Sequence, residues 1–171
     1  MKKVFVVTTL IFITSSVFAL DNFFAGVSAE ANANTREGVA AGGGFTFGID
    51  MNQHIAFGVK TTFSHDFDTV SNLETAAFFR YYLPLPVHGL FLQAEAGGSF
   101  FFEDSETFPV FLGGLTAGWR FKFADKFYLE PSVRGGYPFK WGAGLTVGLI
   151  ISSHGGTKAQ GAQREELGED R

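Results

Sequence analysis

Cysteine is missing from all 171 residues, which excludes a disulfide framework and a lipoprotein anchor. Charge is scarce as well: Asp, Glu, Lys and Arg make up 18% of the chain, against about 25% in a soluble domain. No apolar run is long enough for a membrane helix, which needs roughly 18 or more residues. Basic character is lacking too. If an N-terminal export signal is removed with Lys2 and Lys3, 11 basic side chains of the 13 remain against 17 acidic ones. That balance argues against nucleic acid and against a polybasic membrane patch. Whatever holds this chain together is neither cross-links nor surface charge.

What the chain has in plenty is phenylalanine and glycine, 22 of each, set out with a stride of two. In Phe23-Ala25-Val27-Ala29-Ala31-Ala33 the odd positions are apolar, while Phe24-Gly26-Ser28-Glu30-Asn32-Asn34 interleave polar and small residues. Such a period means β-strand. Eight segments repeat it. The second turns Val39, Ala41, Phe45, Phe47, Ile49 and Met51 one way; the third, Ile55, Phe57, Val59, Thr61 and Phe63; the fourth, Leu73, Thr75, Ala77, Phe79, Tyr81 and Leu83. Parity switches in the fifth, with Leu90, Leu92, Ala94, Ala96, Phe100 and Phe102 on the apolar face. The sixth shows Phe111, Leu115, Ala117, Trp119, Phe121 and Phe123; the seventh Phe127, Leu129, Val133 and Tyr137; the eighth Trp141, Ala143, Leu145, Val147, Leu149 and Ile151. At about 11–14 residues these strands exceed the roughly 5–6 of soluble sheets and suffice to cross hydrocarbon at a tilt. The expected fold is all-β, an eight-stranded antiparallel up-and-down transmembrane barrel. Pro131 is its awkward residue, calling for a bulge or a different strand boundary.

Three segments make up the expected organisation. Residues 1–19 read as a secretory signal peptide, with Lys2 and Lys3 ahead of the apolar stretch Val4 to Ile13 and cleavage after Ala19. Residues 20–152 form the barrel. Residues 153–171 lack any apolar period and read as a disordered polar tail.

A soluble lipocalin-type barrel would place the greasy face inside. The aromatic distribution favours the reverse. Phe23, Phe45, Phe47, Phe79, Tyr81, Trp119, Phe121 and Phe127 fall toward one rim, and Phe63, Phe100, Phe102, Phe111, Tyr137 and Trp141 toward the other. Two such girdles suit two membrane–water interfaces. The apolar faces carry no Asp, Glu, Lys or Arg, and the opposite face mixes glycine with a few large charged side chains. That mixture suits a narrow lumen. Its charges must be paired if buried. Counting along each strand puts Arg80, Glu95, Arg120 and Glu130 in one belt of alternating sign. Lys60 with Glu74, and Glu30 with Arg134, would form a second layer. The alternative is a water-filled lumen with solvated charges.

The strand pattern resembles the small eight-stranded outer-membrane barrels of the OmpA/OmpX type over residues 21–152. Gly144-Leu145-Thr146-Val147-Gly148-Leu149 looks like the glycine-then-hydrophobic signal that the barrel-insertion machinery reads. The resemblance implies periplasmic termini and turns, and exposed loops near residues 35–37, 66–71, 103–107 and 138–140. It implies a monomer in outer-membrane lipid, with the insertion machinery as a partner during biogenesis.

Catalytic chemistry has weak candidates. Ser64, His65 and Asp66 are consecutive, and adjacent strand residues point to opposite faces, so a triad is disfavoured. His54 and His88 lie at turns and His154 in the tail, with no metal-ligand spacing among them. The cluster Glu103-Asp104-Glu106 reads as a solvated loop rather than a Ca²⁺ site. Gly42-Gly43-Gly44 lacks the context of a phosphate loop. No cofactor is expected. The leading function is a non-enzymatic integral outer-membrane protein serving envelope structure or surface contact. A narrow pore is the alternative, and a lipid-modifying enzyme ranks below both.

Overall fold

The computed structural model describes residues 22–34, 38–67, 70–85, 88–103, 106–124 and 126–152. The signal-peptide reading of residues 1–19 and the polar-tail reading of 153–171, His154 included, lie outside them. Nine strands occur among the described residues: β1 Asn22–Asn34, β2 Val39–Asp50, β3 Ile55–His65, β4 Ser71–Tyr82, β5 Leu90–Glu103, β6 Glu106–Trp119, β7 Phe121–Phe123, β8 Phe127–Tyr137 and β9 Phe139–Ser152. β6 and β7 are two lengths of one stave, interrupted at Arg120. Each stave pairs with its sequence neighbours, β9 lies beside β1, and β6 pairs with β8, which closes the sheet. The barrel has eight staves.

The interruption at Arg120 is how the sheet accepts Pro131. Gly118 faces Ser132 and Phe121 faces Leu129, so three steps on one strand match three on the other. No bulge is inserted. The ladder skips the neighbourhood of the residue that has no N–H to donate, while Pro131 stays paired with Leu145 on its other side. Pro109 sits where β6 has run past its last pairing with β8, Gly113 with Tyr137. There β6 has only β5 beside it, a position that proline tolerates.

The turns follow local chemistry. Asn52 accepts the backbone N–H groups of His54 at 2.8 Å and Ile55 at 2.9 Å through Oδ1, the side-chain turn typical of Asn. Gly89 holds φ at +106°, and its carbonyl receives the Arg120 N–H at 2.8 Å. A side chain there would strike the Arg120 backbone. The rim carrying the Asp50–Ile55, Tyr82–Leu90 and Phe123–Phe127 connections is the turn side; the opposite rim is the loop side.

Alternation sorts the side chains as the stride of two requires. Phe45, Leu115, Phe111 and Trp141 stand 61–70% exposed on the outer wall. Arg80, Glu95, Thr116, Arg120, Glu130 and Arg134 are buried in the lumen. Polar inside and apolar outside inverts a water-soluble barrel. Aromatic pairs line the outer turn-side rim, Phe57 with Phe79 at 5.1 Å and Trp119 stacked on Phe121 at 5.6 Å.

The glycines earn their abundance inside. Phe24 faces Gly48, Phe78 faces Gly58, Phe91 faces Gly118 and Tyr128 faces Gly148 across neighbouring strands. A Cβ on any of these glycines would run into the opposing ring. Each ring therefore lies over a bare stretch of backbone, which is how aromatic residues protect glycine in a sheet. With Tyr82, Ala56 and Ile150 they form a buried cluster. The lumen expected to mix glycine with a few charged side chains thus also holds an aromatic filling.

Candidate functional site

The lumen is where polar chemistry is concentrated, in two ion-paired layers. On the turn side, Arg80 Nη1 donates to Glu130 Oε1 at 2.8 Å, and Arg120 Nε donates to the same oxygen. Arg120 Nη1 also reaches Asp50 Oδ2 at 3.3 Å. Arg80 Nε donates to Gln93 Oε1 at 2.8 Å, and its Nη1 lies 3.3 Å from the Tyr82 hydroxyl. Both guanidinium groups lie on rings, Arg80 at 3.9 Å from the Phe91 centroid and Arg120 at 4.0 Å from that of Phe24. Desolvated arginine faces are stabilised by such stacking. This layer carries two cations and two carboxylates.

Toward the loop side, Glu30 binds both Lys60 and Arg134, the latter at 3.1 Å. Arg134 Nη2 meets Glu74 Oε2 at 2.5 Å. Asn72 donates to Glu74 Oε1 at 3.0 Å and accepts from the Ser99 hydroxyl at 2.7 Å. Glu95 differs from every other lumen carboxylate. Its Oε1 accepts from Gln93 Nε2 at 2.7 Å and from the Thr116 hydroxyl at 2.8 Å, and the ion pairs of the lumen do not include it.

Two expected pairings are therefore corrected. Glu95 is not part of a belt with Arg80, Arg120 and Glu130, and Lys60 pairs with Glu30, not Glu74. Register explains both. Arg80 stands opposite Gln93, while Glu95 stands opposite Phe78. Lys60 stands opposite Ala76, with Glu74 beside Thr62. Counting along single strands ignores the stagger that closes a barrel. Asp50, Tyr82, Gln93, Asn72 and Thr116 join these layers although the sequence reading gave them no role. Their inward parity follows from the stride of two.

The candidate catalytic residues are apart. Ser64 is buried in the lumen, whereas His65, one residue on, turns its Nδ1 to Ser71 Oγ at 3.2 Å. Asp66 Oδ1 accepts the Val70 N–H at 3.0 Å and so folds its own loop. His54 Nδ1 lies 3.3 Å from the Tyr82 carbonyl, and the His88 carbonyl accepts from Trp119 Nε1 at 3.1 Å. Glu103 and Glu106 face each other across the β5–β6 hairpin; Asp104 lies outside the described residues. Among the described residues no three His, Asp or Glu side chains are placed to hold a metal ion. The stretch expected to be an exposed loop at 138–140 departs from that picture. Pro138 and Phe139 are buried, and the Phe139 ring lies 3.5 Å from Arg134 Cζ.

No family model and no curated protein matches the sequence. Solved structures do match. The N-terminal β-barrel domain of Pseudomonas aeruginosa OprF aligns with a TM-score of 0.58 and 20% identity, over 77% of this chain and 98% of that one. The outer membrane protein OprG of the same organism gives 0.55 and 8%, over 78% and 97%. Neisserial surface protein A gives 0.52 and 13%, over 77% and 96%. These matches share its closed antiparallel β-barrel fold. At these identities the likeness is one of fold. A barrel of eight staves has an interior just wide enough to be filled by side chains, and the two layers described above occupy it.

Proposed function

We propose that this protein is a non-enzymatic integral protein of the bacterial outer membrane, with a role in envelope structure or surface interaction. One observation carries the reading: hydrocarbon-compatible side chains cover the outer wall while paired ions fill the lumen. Large apolar groups such as Phe45 and Leu115, each 70% exposed, would be costly in water and are at home among acyl chains. The matched OprG structure, an outer membrane protein by its description, supports that bilayer as the location. Outer-membrane lipid is then the surrounding partner, and the insertion machinery acts during biogenesis. The protein works as a monomer.

In this reading the lumen network is structural. Arg80, Arg120 and Glu130 lock one end, and Glu30, Lys60, Glu74 and Arg134 brace the other. Refolded protein in a planar bilayer is expected to give no stable unitary current steps. Stable steps that vanish when Glu95 and Arg120 are altered would replace the reading with a narrow pore. Acyl release from purified lipid A would replace it with an enzyme.

A further inference from the structure

Phe139 departs from the alternation of its own strand. Trp141, Ala143, Leu145, Val147, Leu149 and Ile151 share its parity and face outward. Phe139 should stand with them, yet it is fully buried. Its ring lies against the Arg134 guanidinium at 3.5 Å and clusters with Ala76 and Leu112 inside the barrel. Room for it comes from Gly114, where a Cβ would approach the ring tip to 3.2 Å. Phe139 also lies beyond the last β8–β9 pair, Gly135 with Trp141. The ring is thus held in the mouth by side-chain contacts, while its immediate pairing to β8 has already ended.

We propose that Phe139 is a lid on the loop-side mouth of the lumen, whose outward swing opens a water path to Arg134 and its partners Glu30 and Glu74. The turn-side layer, with its own rings and ion pairs, stays shut, so opening the lid creates a blind chamber and not a channel. Restoring the strand's alternation is the movement required: Phe139 would join Tyr137 and Trp141, 55% and 61% exposed on the outer wall. An apolar surface outside accepts the ring that leaves the inside. This inference concerns the lumen mouth alone and does not depend on which membrane surrounds the barrel.

The cysteine-free chain allows a direct test. Thr62 is 2% exposed, stands opposite Glu74, and its hydroxyl has no hydrogen-bond partner among the described residues, so Thr62→Cys places a thiol in the chamber without removing a hydrogen bond seen there. Labelling by a small cationic methanethiosulfonate is followed on folded protein in detergent. With Phe139 present the thiol is expected to react slowly. Adding Phe139→Ala should speed labelling about tenfold or more, because reaction follows the population of the open form. Tyr137→Ala, on the outward face of the same hairpin, should leave the rate unchanged. Where Phe139→Ala fails to fold, Phe139→Leu substitutes for it, with an intermediate rate expected. Parent-like labelling in a folded Phe139 variant, or equal acceleration by Tyr137→Ala, would overturn the lid.

Discussion

The two ends of the lumen solve the same problem by different means. On the turn side, Arg80, Arg120, Glu130 and Asp50 are balanced in charge and wrapped in rings, with Phe24, Phe91, Tyr82 and Tyr128 within reach of the guanidinium groups. On the loop side, Glu30, Glu74 and Glu95 outnumber Lys60 and Arg134; buried polar atoms without a hydrogen-bond partner among the described residues occur at both ends, Asn32 and Thr62 here and Arg120 Nη2 and the Tyr128 hydroxyl there. One end is charge-matched and packed in rings. The other has an excess of carboxylates, with the Phe139 ring lying on Arg134. The contrast teaches that burial in this barrel is graded along its axis, and that ion pairs should be worth most where aromatic packing excludes water.

The largest expected effect follows from removing Glu130. Its Oε1 receives both Arg80 and Arg120, so Glu130→Ala takes the carboxylate partner from Arg80 and leaves Arg120 only Asp50 at 3.3 Å. Unfolding stability in detergent is expected to fall by about 3–5 kcal/mol, the range for breaking a buried pair. A loss below ~1 kcal/mol, typical of solvated surface pairs, would show that the turn side is wet and would erase the contrast.

Glu74→Gln probes the other end. Arg134 keeps Glu30 after the substitution, and a glutamine oxygen can still accept from Arg134 or Asn72. The expected loss is smaller, about 1–2 kcal/mol, the scale of one charge-assisted bond weakened rather than lost. Denaturant titration of both variants in the same detergent decides the order. If Glu74→Gln costs as much as Glu130→Ala, the loop side is as tightly sealed as the turn side.

Much of this was readable from residue order alone, and the exceptions have physical causes. Parity is local, so Leu115 outside and Thr116 inside follow from the stride of two without knowledge of any partner strand. Stagger is collective. It depends on how eight staves register around a closed cylinder, which is why Gln93 and not Glu95 meets Arg80, and why Lys60 meets Glu30. The ring-over-glycine pairs, such as Phe24 with Gly48, need that same register before two separate compositional signals become one contact. Phe139 escaped for a different reason. Its inward turn reflects the contacts available at a hairpin tip, Arg134, Leu112 and the bare backbone of Gly114, none of which alternation encodes.

Glu95 offers the finest test of the graded lumen. It is 6% exposed, carries no ion pair, and is held by two neutral donors, Gln93 and Thr116. Its charge is offset by those two hydrogen bonds and by Lys60 and Arg134 acting from a distance, cations that also hold Glu30 and Glu74 directly. Glu95→Gln removes the excess charge while its amide oxygen can still accept from Thr116. Stability is therefore expected to change by no more than about 1 kcal/mol, because a neutral hydrogen bond replaces a charged one at little desolvation cost. The same change at Glu130 would strip two arginines of their shared partner. If Glu95→Gln instead lowers stability by more than ~2 kcal/mol, Glu95 balances Lys60 and Arg134 directly, and the loop side must be counted as a charge-matched layer like its counterpart.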